Sequence, residues 1–239
     1  MILNKKNWNE NDYKKFINYL HNNSDQKYKE FHAKIVANEK SNILGINTPQ
    51  LKKIALEISK GNFQEFIKLN NHKYYEEIII HGLIISYLKD DFNKVINYFD
   101  QFLIYIDNWA ICDVVCSNMK IFKKNQENGF TKINEYLNSQ NNWYKRVGIV
   151  LLNAHYINDD YIDKILTICQ KINSSDYYVL MANAWLISTC YIKYPLKTEN
   201  LLKTKTLDKF TQNKAISKIR DSYRVNKINK DNLLKYKIK

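Results

Sequence analysis

Five glycines and two prolines in 239 residues leave this chain few places for tight turns. A many-stranded sandwich or barrel needs turn residues at nearly every strand end, so the expected fold class is all-α. Apolar residues make up 45% of the chain and are spread evenly along it, which argues against a disordered or fibrous protein. A chain of this length buries a substantial core. The longest apolar stretch, IIIHGLII at 78–85, is far shorter than the roughly 20 residues of a spanning helix, and no export signal is evident. The expectation is a cytoplasmic protein with no membrane partner.

Helical periodicity recurs throughout. In NDYKKFINYLHNN, Tyr13, Phe16, Ile17 and Leu20 share a face, with Asp12 near the start. In TPQLKKIALEISKG, Thr48 is the expected N-cap, Pro49 the first helical residue and Gly61 the stop. Further helices are expected at about 63–69, 75–88, 91–105, 109–123, 129–138, 142–156, 159–171, 176–192, 198–204, 206–220 and 230–236. Linkers are short and no composition break marks a boundary, so residues 1–239 read as one continuous helical domain. Trp109, Trp143 and Trp185 are 34 and 42 residues apart, about the length of a HEAT or armadillo helix pair. Stacked pairs of that kind curve into a solenoid with a concave face.

Charge adds a partner class. The formal net charge is +13, and residues 193–239 carry fourteen Lys or Arg against four Asp or Glu, a net of +10. That basic C-terminal region suits a polyanion, with a solvated, solubilising tail as the plainer reading. Lys218, Arg220 and Arg224 cluster in AISKIRDSYRV, suited to touching backbone phosphates rather than reading base edges. Cys112 and Cys116 lie four apart, but no His or further Cys is close enough to complete a zinc site. All four cysteines are expected to be small buried residues in a reducing compartment, and neither metal nor cofactor is expected.

One stretch carries candidate chemistry. DNWAICD, 107–113, sets Trp109 and Asp113 four apart on one helical face, while Ala110, Ile111 and Val114 turn toward the core. NNWYKRVGIVLLNAHYI carries Arg146, the only Arg before residue 220, and DYYVLMANAWLIS carries Trp185. The residues themselves admit two roles: a site, or an interhelical Asp113–Arg146 ion pair with the tryptophans as core.

Five segments in order, ILGINTPQLKKIA (43–55), NWAICD (108–113), WYKRVGIVLL (143–152), YVLMANAWLIS (178–188) and FTQNKAISKIRDSYRV (210–225), resemble the DNA alkylation repair family, the AlkD-like HEAT-repeat DNA glycosylases. The resemblance implies a HEAT-like superhelix with a concave basic face. It also implies a monomer that hydrolyses the N-glycosidic bond of cationic alkylated purines, 3-methyladenine and 7-methylguanine, in duplex DNA. By the same resemblance Asp113 is the catalytic carboxylate, Trp109 and Trp185 are paired aromatics at the lesion-bearing nucleotide, and Arg146 grips a phosphate. The chain departs from the family pattern at Asn108 and Ala110, which replace an aromatic and an acid. It departs again at NEKSNIL (38–44), and at Leu186, Ile187 and Ser188, which stand in place of a charged run. A noncatalytic DNA- or RNA-binding protein on the same scaffold is the alternative reading.

Overall fold

Asparagine and aspartate begin most of the helices. In the computed structural model, which describes residues 1–36 and 42–239, the side chains of Asn9, Asn47, Asn62, Asp91, Asn108, Asn141, Asp176, Asp208 and Asn226 each accept a backbone N–H from the first turn that follows. Each such cap is worth about 1 kcal/mol and fixes where a helix starts. The helices are α1 (Glu10–Asn22), α2 (Gln26–Val36), α3 (Thr48–Ser59), α4 (Phe63–Leu69), α5 (Tyr75–Tyr87), α6 (Phe92–Phe102), α7 (Trp109–Asn118), α8 (Ile121–Lys124), α9 (Gln126–Leu137), α10 (Asn142–His155), α11 (Ile162–Lys171), α12 (Tyr177–Lys193), α13 (Pro195–Thr204), α14 (Lys209–Asp221) and α15 (Lys227–Asn232). Short 3-10 turns follow α6 and α15, and no strand longer than the isolated Asn42–Tyr74 bridge occurs among the described residues. The protein is therefore all-α, with packed helices in the manner of a helical-repeat fold.

Several expectations shift. α2 was not anticipated. Asn47 rather than Thr48 caps α3, which moves Pro49 to the second helical position. The run expected at 109–123 breaks at Met119–Lys120 into α7 and α8. Asp12 sits inside α1, where Asn9 is the cap. Of NEKSNIL, residues 38–41 lie outside the described residues.

The chain divides into two compact units, Met1–Ile121 and Phe122–Lys239. In the first, α3, α5 and α7 pack in series, and two buried carboxylates at the start of α5 tie the other segments to it. Glu76, 1% exposed, accepts the backbone N–H groups of Leu44, Gly45 and Ile46 at 2.9, 2.8 and 3.2 Å. Gly45 is required there: its φ is +102°, and a Cβ would stand 2.4 Å from the Asp25 carbonyl oxygen. Glu77 accepts from the Tyr13 hydroxyl of α1 and from the Tyr74 backbone N–H. Farther along α5, a Cβ on Gly82 would meet Val115 at 2.5 Å, so glycine lets α5 lie close against α7. In the second unit α9, α10, α12 and α14 pack in series. Neutral side chains close its ties: Asn183 donates to the Cys169 carbonyl, and Gln212 to those of Leu202 and Tyr236, each at 2.9 Å. The four cysteines are buried, as expected, and none is in a disulfide; among the described residues no helix is long and apolar enough to cross a membrane.

His72 and His81 link the loop before α5 to its middle. Their facing nitrogens are 2.8 Å apart and their ring centroids 5.1 Å, so the rings point at one another through a single N–H···N bond. His72, at φ 52°, also stacks on Tyr105 at 3.8 Å. Burial holds His72 down to about 4, and burial with the neighbouring His72 holds His81 down to about 3. An unfolded histidine takes up its proton near pH 6.5, so between there and about pH 4 the unfolded chain binds more protons. Stability is therefore full above that window and is lost as pH falls through it. The urea midpoint of the wild type is expected to drop more between pH 7 and pH 4.5 than that of His72→Asn/His81→Gln.

Candidate nucleic-acid site

α7 owes its start to Asn108. This residue is 3% exposed, and its carboxamide accepts from the Ile111 N–H at 3.0 Å while donating to Asp107 at 2.8 Å. An aromatic at this position would supply no such cap. Ala110, Ile111, Cys112, Val115 and Cys116 are buried, whereas Trp109, Asp113 and Val114 remain half-buried. Val114, expected in the core, is thus at its margin. Trp109 and Asp113 share the side of the helix left partly open, one turn apart.

Tyr75 completes the neighbourhood. It is 4% exposed; burial first, then the charges of Glu76, Tyr28 and Asp113, push its phenol well above the usual range. The Asp113 carboxylate therefore lies within electrostatic reach of this phenol. The Tyr75 hydroxyl has no hydrogen-bond partner among the described residues. His32 packs against it with ring centroids 5.0 Å apart and stacks in turn on Tyr28 at 5.4 Å. The His32 Nε2 is buried without a partner among the described residues, and burial holds the ring below its ordinary pKa. Tyr28, His32 and Tyr75 thus form an aromatic row leading to Asp113. The sequence pattern offered no signal for it, because Tyr28 and His32 lie on α2, which was unread, and Tyr75 lies on α5.

The second unit holds Arg146 and Trp185 on the packed helices α10 and α12. Arg146 is 4% exposed and its Nη1 donates to the Tyr178 carbonyl at 2.6 Å, which ties α10 to the first turn of α12. Trp185 is half-buried, while Leu186, Ile187 and Ser188 behind it are buried, which accounts for their replacing charged residues. Lys218 and Arg220 lie half-buried in the last turn of α14. Arg220 reaches Asp231 at 3.8 Å, and its Nε is buried with no partner among the described residues. Arg224 is exposed just beyond the helix. The structure thus brings Trp109 and Asp113 together in one unit, and Arg146 and Trp185 onto neighbouring helices in the other.

The sequence matches the family model of the DNA alkylation repair enzymes over residues 15–219, across both units. The chain belongs to that family. No curated protein matches it significantly.

Replacing Arg146 tests its structural share. Arg146→Met keeps the bulk of the stem but leaves the Tyr178 carbonyl without its donor in a buried setting. A loss of about 1–3 kcal/mol is expected in urea unfolding, whereas Lys214→Met, on a half-buried helix face, should change stability by no more than about 0.5 kcal/mol.

Proposed function

We propose that this protein is a DNA glycosylase that hydrolyses the N-glycosidic bond of cationic alkylated purines in duplex DNA, such as 3-methyladenine and 7-methylguanine. The observation that carries the reading is the exposure pattern of α7: its apolar residues pack inward, and the carboxylate and indole on the remaining side stay accessible, in a member of a DNA alkylation repair family.

Alkylation makes the purine a cation and a good leaving group. As its bond to C1′ breaks, the electron pair leaves with the base, which departs neutral, and positive charge develops on the deoxyribose. Asp113 stabilises that charge and orients the water that attacks C1′; the water's second proton passes to solvent. The face of Trp109 favours the same charge through cation–π attraction. The Tyr75 hydroxyl, which has no hydrogen-bond partner among the described residues, can donate to that water or to a sugar oxygen. In the second unit, Trp185 packs on a nucleotide of the DNA and Arg146 engages a backbone phosphate with the fork that suits planar oxyanions. Lys218, Arg220 and Arg224 contribute backbone contacts without sequence preference.

Asp113→Asn keeps the shape and removes the charge. Release of 7-methylguanine from duplex DNA is expected to fall on the order of 100- to 10,000-fold, with DNA affinity and its salt dependence unchanged. Salt-sensitive binding without base release by the wild type would make this a noncatalytic nucleic-acid binder.

A further inference from the structure

A cavity of about 430 Å³ in the second unit lies among the C-terminal ends of α10 and α12, the α8–α9 junction and the segment after α14. Its walls include Lys123, Gln126, Asn153, Thr189, Lys193 and Arg224, and no Asp or Glu lines it. Among the described residues neither the Lys123 ammonium nor the Arg224 guanidinium has an acidic or hydrogen-bonded partner. Lys193 donates to the Ile157 carbonyl at 2.7 Å and lies over the Tyr194 ring, so its charge stays at the cavity rim without being neutralised. The ends of two helices add roughly half a negative charge each, which three full positive charges outweigh. Asp159, on the adjoining loop, is engaged by the Tyr194 side chain.

A second observation points to a ligand. Asn153 has no hydrogen bond among the described residues: its Oδ1 is buried without a partner, and its amino group, not among the sealed atoms, is left as a donor toward the cavity it lines. A cavity with three cations and an unengaged amide donor, and no carboxylate in its wall, recognises an oxyanion.

Its position says which oxyanion. Asn153 is seven residues beyond Arg146 on α10, and Thr189 is four beyond Trp185 on α12, spacings that keep the same helix face. The Thr189 hydroxyl in fact donates to the Trp185 carbonyl at 3.1 Å. Seven helical residues span about 10.5 Å, so the cavity lies farther along the same helices than Arg146 and Trp185.

We propose that this cavity is a second phosphate clamp, which holds a backbone phosphate beyond the one at Arg146 and fixes the register of the DNA on α10 and α12. The inference rests on the DNA reading above and adds Lys123, Asn153 and Lys193 to the binding residues. The clamp touches no reacting atom, so it acts on affinity and not on the chemical step.

The test compares binding of a lesion-free duplex to wild-type protein, Lys123→Gln/Arg224→Gln and a control pair, Lys209→Gln/Lys227→Gln, on exposed lysines of the same unit, over a range of salt. The clamp variant is expected to bind about tenfold more weakly at low salt, with the slope of log affinity against log salt reduced by about 1 to 2. The control pair should lose markedly less. Equal losses in both pairs, or an unchanged slope in the clamp variant while the wild type binds normally, overturn the clamp and leave the DNA reading standing. A wild type with no salt-sensitive DNA binding removes both.

Discussion

Two buried carboxylates at the start of α5 organise the first unit. A carboxylate out of water is costly unless its lone pairs are occupied, and Glu76 and Glu77 answer that demand by drawing in distant backbone and side-chain donors. Glu76 pins the loop Leu44–Ile46, and Glu77 pins Tyr13 of α1. Between them Tyr75 is held almost fully buried with its hydroxyl near Asp113. The same two residues that stabilise the fold thus set the surroundings of the candidate carboxylate. Losing either would leave several buried donors unmet at once, a larger cost than losing one surface bond.

The second unit is organised differently. Its interhelical ties run through neutral amides and one guanidinium, from Asn183 and Gln212 to carbonyls and from Arg146 to Tyr178. Such ties hold α10, α12 and α14 in place without spending the lysines and Arg224, which remain at the surface. A basic surface on a rigid helical frame is what a nonspecific hold on phosphates requires, since affinity comes from released counterions and position from the frame.

Much of this was legible in the sequence. Apolar periodicity located most helices, because the pattern is a local property. α2 escaped because QKYKEFHAKIV buries only Val36 and leaves Phe31 and Ile35 exposed, so its apolar pattern marks no packed face. The break after α7 was hidden because Met119 is itself fully buried and continues the apolar run through a non-helical backbone. Asn47 and Thr48 are both good caps, and only the tertiary position of the loop held by Glu76 decides between them. The pairing of Trp109 with Asp113 follows from helical spacing. The row from Tyr28 through His32 to Tyr75 does not, because it joins the unread α2 to α5 by packing alone.

The central claim is that Asp113 serves a positive charge on the sugar. Duplexes carrying a cationic pyrrolidine in place of the lesion-bearing deoxyribose mimic that charge, and a neutral tetrahydrofuran site supplies the same shape without it. If Asp113 is complementary to the transition state, the wild type binds the cationic duplex at least about tenfold more tightly than the neutral one, and Asp113→Asn loses the preference. Equal affinity of the wild type for the two duplexes would contradict the account and return Asp113 to a purely structural role.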